Sequence, residues 1–264
     1  MHKIKTLVSY FKDFIKWGEY RYVLTSAKYI LFNKTTSKTR IYNSSLGTFL
    51  CRKGTLDFQF ANLAYEWNVK EFIYQHEKEC DVFFDIGANI GTYSILMAKK
   101  NKKVIAFEPI RSNYNALCIN AMLNNVEDKI TCYPFALGDK AENAEFVFDL
   151  LNTGASHKAG IELDDVLNDP EEKETVKIIP LDDIIKELNI KKSDRLFLKI
   201  DVEGMEEKVL KGAANFIHSF PNILIVMESV HSGKDKLEHI LNEIDPFEII
   251  PVDNLNIGAR KKKN

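Results

Sequence analysis

Short apolar runs of four to six residues alternate with segments of helical periodicity from about residue 80 onward. Several of these runs end next to an acidic residue, which is typical of a strand that reaches the edge of a sheet. Short apolar strands joined by helical crossovers predict an α/β fold, with a mostly parallel, doubly wound sheet covered on both faces. The predicted strands are 82–85, 104–107, 130–133, 195–200, 223–228 and 247–250.

An insertion at about 138–192 separates the third and fourth of these strands. It contains a predicted hairpin of 145–148 and 175–179, an acidic loop at 162–174, and a helix after Pro180. The helices predicted outside the insertion are 60–77, 91–100, 112–124, 206–212 and 234–243.

Residues 1–78 form a predicted extension of helices and lead-in strands ahead of the domain at 79–264. Helices are expected at about 4–17 and 20–32, and strands at 40–51. The apolar positions of the first helix recur at spacings of three, four and seven, which indicates one face of an amphipathic helix. These positions are Ile4, Leu7, Val8, Phe11, Phe14 and Ile15.

The net charge of −2 hides a basic N-terminus. Residues 1–40 carry nine basic and two acidic side chains, a net charge of +7, which leaves −9 for the rest. We expect the first helix either to pack on the domain or a partner subunit, or to lie on an anionic membrane with Phe11, Trp17 and Tyr20 at the interface. Charged residues leave no uninterrupted apolar run of the kind a signal peptide has, and no stretch approaches the roughly 18 uncharged residues of a membrane span, so neither a signal peptide nor a span is expected.

The four cysteines are widely spaced and form no Cys-x-x-Cys pair. This spacing excludes a zinc ribbon and a disulfide scaffold, and it suits a reducing cytosol. We therefore expect a cytoplasmic protein, with contact to the inner face of the membrane as the alternative. The sequence leaves the oligomeric state open. The cysteines are Cys51, Cys80, Cys118 and Cys132.

A loop of small residues follows the first strand and leads directly into a helix. It runs from Asp85 to Gly91 as Asp-Ile-Gly-Ala-Asn-Ile-Gly. Gly87 permits a tight turn, and Gly91 permits backbone to approach a ligand or a neighbouring strand closely. Glu108 follows Asp85 by 23 residues and stands at the tip of the second strand. A carboxylate in that position accepts hydrogen bonds from two ribose hydroxyls.

Two adenosine cofactors use loops of this kind. A dinucleotide favours the three glycines of G-x-G-x-x-G, with its pyrophosphate at the helix N-terminus. Gly87 and Gly91 give G-x-x-x-G instead. The charge of Asp85 disfavours a pyrophosphate and favours a cationic amino acid or a sulfonium. The loop therefore predicts a site for S-adenosylmethionine.

Six short motifs follow one another along the chain: Arg52-Lys-Gly-Thr-Leu-Asp57, Asp85-Ile-Gly-Ala-Asn-Ile-Gly91, Phe107-Glu-Pro109, Ala136-Leu-Gly-Asp139, Leu181-Asp-Asp183 and Lys199-Ile-Asp-Val-Glu-Gly204. In this order they resemble the FkbM-type S-adenosylmethionine-dependent methyltransferases, over about 50–230. The resemblance implies a class I, Rossmann-like methyltransferase fold. It also implies O-methylation of a saccharide hydroxyl, in a bacterial surface glycan or its precursor, or of a secondary metabolite.

By this resemblance, the loop after the first strand holds the methionine end of the cofactor and Glu108 holds the ribose. The residues after the third strand flank the adenine. The residues implied as cofactor-binding are Asp85, Gly87, Ala88, Asn89, Gly91, Glu108, Pro109, Ala136, Leu137 and Asp201.

Lys199, Asp201 and Glu203 alternate at the end of the very apolar fourth strand. In a strand these three side chains share one side. One interpretation is an ion pair of Lys199 with Asp201 or Glu203 that shapes the loop. We favour the other, in which this tip faces the transferred methyl group, because three charges at the end of a core strand need partners or a purpose.

Methyl transfer to a hydroxyl requires that the acceptor oxygen is aligned and its proton removed. Asp201 and Glu203 are the first candidates for the base, and His157 and His231 are the next, although each histidine equally suits a solvated loop. A divalent cation held by Asp201 and Glu228 is less favoured, because no dedicated metal-ligand spacing is present. The predicted catalytic set is Lys199, Asp201, Glu203 and His157; the predicted acceptor-binding set is Arg52, Asp57, Ser156, His157, Glu228 and His231.

Two other functional classes compete with this interpretation. A nucleic-acid methyltransferase would carry a [DN]PP[YF] motif or a Pro-Cys nucleophile, and neither occurs. The body of the chain is also acidic, and the basic 260–263 is a predicted solvated tail, so we expect no nucleic-acid partner. An oxidoreductase would need the third glycine, and a non-catalytic cofactor-binding module would not need the charged tip of the fourth strand.

Overall fold

The computed structural model describes residues 12, 14–32, 34–160 and 171–262. Most of the predicted helix at 4–17 and most of the acidic loop at 162–174 lie outside these residues. The strands are β1 (Arg40–Asn43), β2 (Thr48–Cys51), β3 (Val82–Ile86), β4 (Lys103–Phe107), β5 (Ile130–Tyr133), β6 (Ala136–Leu137), β7 (Glu142–Asp149), β8 (His157–Lys158), β9 (Glu171–Ile179), β10 (Leu196–Ile200), β11 (Ile223–Glu228), β12 (Phe247–Pro251) and β13 (Asn256–Lys261). The α-helices are α1 (Tyr20–Phe32), α2 (Asp57–Phe60), α3 (Trp67–His76), α4 (Thr92–Lys99), α5 (Arg111–Leu123), α6 (Leu181–Ile184), α7 (Glu206–Gly212), α8 (Ala214–Ser219) and α9 (Lys234–Ile244).

The core is a seven-stranded sheet in the order β5-β4-β3-β10-β11-β13-β12. The first five of these strands are parallel, whereas β13 runs antiparallel to both β11 and β12. This arrangement confirms the predicted α/β fold, and it is the sheet of a class I methyltransferase. The chain enters the sheet at β3, moves outward to β5 and returns to the other side at β10, so the strand order reverses between β3 and β10.

Helices cover both faces of this sheet because successive side chains of a buried strand point to opposite sides. Phe83 packs with Phe197 on one face, at 5.5 Å between ring centroids, in a cluster that also contains side chains of α4 and α5. Phe84 packs with Phe216 of α8 on the other face, at 5.3 Å. The register of β3 and β10 pairs Asp85 with Lys199, so two charged residues face each other at the reversal point.

The predicted helix at 60–77 begins later than expected: α3 covers Trp67–His76, and a turn at 61–66 separates it from the short α2 at Asp57–Phe60. The side chain of Asn62 accepts a hydrogen bond from the backbone N–H of Tyr65, at 3.0 Å. Glu66 then adopts a left-handed conformation, with φ of 49°. Such local side-chain bonds compete with helical hydrogen bonds, which explains the break.

The predicted solvated tail at 260–263 is wrong for its described part, residues 260–262. Residues 256–261 form β13, which lies between β11 and β12 and was absent from the predicted strands. Lys261 is buried, lies 2.8 Å from Asp245, and donates hydrogen bonds to the carbonyl oxygens of Ile217, His218 and Phe220.

The insertion forms a separate four-stranded sheet in the order β6-β9-β7-β8. The predicted hairpin strands do pair: Glu145 lies opposite Thr175 in the antiparallel ladder of β7 and β9. The observed strands are longer than the prediction, and β8 adds a short third partner along β7.

The N-terminal segment packs on the domain. Phe14 is buried, and the ring of Trp17 lies 3.7 Å from that of Trp67, centroid to centroid, so the described end of the first predicted helix follows the packing interpretation. Leu24 and Phe32 of α1 are exposed, and the membrane contact stays a prediction. Among the described residues, no helix has the length and apolar character needed to cross a bilayer.

Candidate functional site

A cavity of about 140 Å³ opens at the carboxyl ends of β3, β4, β10 and β11. A doubly wound sheet places ligands here, because the loops on either side of the reversal point separate and leave a crevice. The lead-in segment around α2 and the insertion supply the remaining walls. The predicted site residues that line the cavity are Gly87, Ala88, Asn89, Glu108, Pro109, Ala136, Leu137, Ser156, Lys199, Asp201, Glu203 and Glu228.

Glu108 follows β4 and is tied to the loop after β3. Its Oε2 accepts a hydrogen bond from the backbone N–H of Asn89 at 2.7 Å, and its Oε1 accepts one from that of Ile110 at 2.9 Å. Burial raises the pKa of Glu108 to about 7, against the effect of these hydrogen bonds. Two donors therefore fix the orientation of a carboxyl group that borders the cavity.

The loop after β3 depends on glycine at two positions. Gly87 has φ of 82°, and a Cβ there would overlap the backbone carbonyl oxygen of Asp201. Gly91 has φ of 86°, and a Cβ there would overlap the side chain of Leu117 in α5. Gly87 thus lets the loop lie against the tip of β10. Gly91 packs on a helix and does not line the cavity, and its predicted contact with the cofactor stays a prediction.

Lys199 lies between two carboxylates. Its Nζ is 2.8 Å from Oδ2 of Asp201 and 4.0 Å from Oδ1 of Asp85. Burial lowers the pKa of Lys199, but the two carboxylates outweigh that effect and the net shift is upward. Asp85 is fully buried, accepts a 2.6 Å hydrogen bond from Ser94 and does not line the cavity. Asp85 therefore faces Lys199, and its predicted contact with the methionine end stays a prediction.

Glu203, Glu228 and His231 meet at the tips of β10 and β11. Nε2 of His231 lies 3.3 Å from Oε2 of Glu203 and 3.9 Å from Oε2 of Glu228. The hydrogen bond with Glu203 raises the pKa of His231. Burial, reinforced by the charges of Asp201 and Glu203, raises the pKa of Glu228 to about 9. The sequence predicted that Lys199, Asp201 and Glu203 share one side of a strand. This arrangement does not extend to Glu203, because β10 ends at Ile200.

The lead-in segment supplies polar residues that the sequence analysis missed. Tyr65, Glu66 and Tyr93 line the cavity, and the hydroxyl of Tyr93 donates a 2.6 Å hydrogen bond to Glu66. Lys70 is buried behind them, donates to the carbonyl oxygen of Tyr65, and lies 5.1 Å from the Tyr93 ring centroid. Burial lowers the pKa of Lys70 to about 8. The sequence signal for this group of polar residues is Lys70, which stands beside Val69 on the apolar face of α3.

Arg52 and Asp57 act behind the cavity wall. Their side chains form an ion pair at 2.7 Å, and neither lines the cavity. Asp57 accepts a 3.1 Å hydrogen bond from the hydroxyl of Thr153, and Arg52 donates a 2.9 Å hydrogen bond to Asn113. Thr153 and Asn113 are both wall residues. Arg52 and Asp57 therefore support two wall residues, and their predicted direct contact with an acceptor stays a prediction.

His157 is neither in a solvated loop nor at the cavity. It lies on β8 opposite Val147, is buried, and has its Nδ1 3.1 Å from the carbonyl oxygen of Ala155. This position removes it from the predicted catalytic and acceptor-binding sets. His231 also does not line the cavity, but it contacts Glu203, which does.

The chain is similar to several known methyltransferases. The hexuronic acid methyltransferase AglP of Haloferax volcanii is 27% identical over 178 residues, which cover 67% of this chain and 67% of that protein. The 31-O-demethyl-FK506 methyltransferase FkbM of Streptomyces tacrolimicus is 31% identical over 185 residues, covering 61% of this chain and 69% of that protein. The crystal structure of methyltransferase FkbM from Methylobacillus flagellatus KT aligns with a TM-score of 0.47 and 20% identity, and covers 70% of this chain and 44% of that chain.

The family model described as the methyltransferase FkbM domain matches residues 85–248, which is more than half of the chain. The match begins at the loop after β3 and includes the tips of β4, β10 and β11, where the cavity lies. The chain therefore belongs to the FkbM family of methyltransferases.

Proposed function

We propose that this methyltransferase uses S-adenosylmethionine to methylate a hydroxyl group of a saccharide. The observation that carries the proposal is the division of the cavity. One end has the glycine loop and Glu108, which suit an adenosine cofactor. The other end has carboxylates and aromatic rings, which suit a polyhydroxylated acceptor.

The residues of the first end fit S-adenosylmethionine. Gly87 has no side chain and leaves room where its loop meets the tip of β10. Oδ1 of Asn89 is buried without a hydrogen-bond partner among the described residues, so it is available to a ligand donor. Glu108 offers carboxyl oxygens to the ribose hydroxyls, and Ala136 and Leu137 offer an apolar surface to the adenine.

When bound, the cofactor supplies a methyl group on a sulfonium, which is already a good leaving group. The chain then has to align an acceptor hydroxyl and take its proton. We assign proton acceptance to Asp201, because it lines the cavity at the tip of β10 and is 29% exposed. Lys199, at 2.8 Å, fixes the orientation of this carboxyl group.

The acceptor end has the character of a sugar-binding wall. Glu66, Glu203 and Glu228 offer carboxylate oxygens to hydroxyl donors. Phe60 and Tyr65 have nearly perpendicular rings, at 5.2 Å between centroids, and offer apolar area to the C–H faces of a sugar ring. The name of one relative, a hexuronic acid methyltransferase, supports a saccharide acceptor, and that of another, acting on demethyl-FK506, keeps a secondary metabolite as the alternative.

The test is transfer of a radiolabelled methyl group from S-adenosylmethionine to nucleotide sugars and oligosaccharides, with RNA and DNA as competing acceptors. We expect labelled methyl ethers on saccharides only. Asp201→Asn should retain binding of S-adenosylhomocysteine and lose about 100-fold or more in rate. Asp235→Asn, an exposed carboxylate on α9, is the matched control and should keep full rate. Labelling of RNA without labelling of any saccharide would overturn the proposal.

A further inference from the structure

Glu203, Glu228 and His231 together offer two carboxylate oxygens and one imidazole nitrogen, all within 4.8 Å of one another. They come from adjacent strand tips, since Glu203 follows β10 and Glu228 ends β11. Two carboxylates and an imidazole are a donor set that divalent transition metals accept. Side chains at this separation need only small rotamer adjustments to reach a common ion.

The surrounding structure holds this cluster in place. Glu203 has φ of 49° in a tight turn, and the buried carboxylate of Glu206 accepts hydrogen bonds from the backbone N–H groups of Val202 and Gly204 at 3.3 and 3.2 Å. On the other strand, Ser229 donates a 2.9 Å hydrogen bond to the carbonyl oxygen of Leu255. Two anchored loops therefore present the ligand atoms from fixed backbone positions.

The charges around the cluster are unbalanced. Asp201 and Glu206 add two more carboxylates to those of Glu203 and Glu228, while Lys199 is committed to Asp201 and Asp85. Oε2 of Glu228 is buried and accepts no hydrogen bond within the described residues. Carboxylates brought this close repel one another unless a proton or a cation lies between them. A buried acceptor without a donor, aimed at an imidazole, is the second feature that points to a bound cation.

We propose that Glu203, Glu228 and His231 bind one divalent cation of the Mn²⁺ type at the acceptor end of the cavity. The mixture of oxygen and nitrogen ligands suits Mn²⁺ or Zn²⁺ better than Mg²⁺ or Ca²⁺. Three protein ligands leave coordination positions open to a substrate. This site differs from the Asp201 and Glu228 pair that was less favoured from the sequence, since Asp201 is paired with Lys199.

The cation gives the proposed function a substrate preference, and this part of the inference rests on that function. Glu203 and Glu228 line the cavity, so the open positions face the acceptor. A metal ion there binds two neighbouring hydroxyls of a sugar and lowers the pKa of the one to be methylated. The proton of that hydroxyl then passes more easily to Asp201. We therefore assign a vicinal diol as the acceptor group.

The experiment is a titration of the chelator-treated full chain with Mn²⁺, in which free Mn²⁺ is measured by electron paramagnetic resonance. Wild type should bind one ion, and affinity should fall about tenfold or more in both Glu228→Gln and His231→Ala. His239→Ala is the matched control, because His239 lies 3.1 Å from Glu243 on exposed α9, and it should bind as wild type does. Thermal unfolding followed by circular dichroism establishes that each variant is folded.

Binding of S-adenosylhomocysteine, measured on the same samples, separates this inference from the proposed function. Wild type that binds S-adenosylhomocysteine but no Mn²⁺ overturns the cation site and leaves the function standing. Equal Mn²⁺ affinity in wild type and both cluster variants also overturns it. Variant-sensitive Mn²⁺ binding without any S-adenosylhomocysteine binding supports the cation site and contradicts the function.

Discussion

The backbone N–H of Asn89 donates a 2.7 Å hydrogen bond to the carboxyl group of Glu108. This bond joins the loop after β3 to the tip of β4, two segments 19 residues apart in the chain. It fixes the distance between the part of the cavity that suits the methionine end of a cofactor and the part that suits its ribose. Affinity for the cofactor should therefore depend on the ionisation of Glu108.

Affinity for S-adenosylhomocysteine should rise with pH. The pKa of Glu108 is raised to about 7, and the carboxylate is the form that accepts hydrogen bonds from both ribose hydroxyls. Binding that selects the carboxylate tightens as pH increases up to that pKa and levels off above it, a gain of about tenfold between pH ~6 and ~8. Calorimetric titration across this range checks it. Glu108→Gln should bind weakly with a flat profile; a wild-type affinity that falls with pH would contradict the assignment.

Gly87→Ala should disrupt both the fold and the cofactor end of the cavity. The new Cβ would overlap the carbonyl oxygen of Asp201 and would also sit at positive φ, so we expect a loss of about 3 kcal/mol in the free energy of unfolding and no S-adenosylhomocysteine binding. Gly54→Ala has the same φ penalty, with φ of 81°, but no described atom within 4 Å of its Cβ. It should lose only about 1 kcal/mol. Chemical denaturation of both variants checks this, and equal losses would contradict the close approach.

The ion pair of Lys199 with Asp85, where the strand order reverses between β3 and β10, also stabilises the fold. Lys199→Met leaves Asp85 fully buried without its cation, and should lower the free energy of unfolding by about 3–5 kcal/mol. Lys211→Met removes an exposed ion pair with Glu207 on α7 and should cost less than about 1 kcal/mol. Urea denaturation monitored by circular dichroism compares the two. A loss for Lys199→Met no larger than that for Lys211→Met would show that Asp85 does not need Lys199.

The sequence predicted the strand tips that border the cavity, but not the residues that the lead-in segment brings to it. Asp85 and Glu108 end apolar runs, and parallel strands bring such ends to one edge of a sheet. The contribution of Tyr65 and Glu66 was not predictable from periodicity, because their segment has apolar residues at helical spacing. The side chain of Asn62 fixes the helix break there, because it accepts a hydrogen bond from the backbone N–H of Tyr65 and donates one to the carbonyl oxygen of Gln59. His157 was misjudged because its burial depends on the pairing of β8 with β7.

The C-terminal strand shows the same limit. A run of basic residues predicts a solvated tail, whereas in the structure Lys261 is buried and Lys262 is exposed. The burial of Lys261 depends on the position of β13 between β12, which precedes it directly, and β11, which is distant in sequence.

Lys261→Met should therefore destabilise the protein. The change removes the ammonium group that lies 2.8 Å from buried Asp245 and that donates to three carbonyl oxygens, while Asp245 keeps His218 at 3.0 Å, so we expect a loss of about 3 kcal/mol in the free energy of unfolding. Lys262→Met, at the exposed neighbouring position, is the matched control and should change it by less than about 0.5 kcal/mol. Thermal unfolding of the two variants decides between a structural strand and a tail, and equal melting temperatures would favour the tail.

We expect the cavity at the tips of β3 and β4 to bind S-adenosylmethionine through Glu108. Isothermal titration of wild type and Glu108→Ala with S-adenosylmethionine, S-adenosylhomocysteine and NAD⁺ tests it most directly. We predict saturable binding of the first two ligands to wild type, loss of that binding in Glu108→Ala, and no binding of NAD⁺. Binding of NAD⁺ alone would contradict a site for S-adenosylmethionine, and equal binding of S-adenosylmethionine to both proteins would contradict the role of Glu108 in that site.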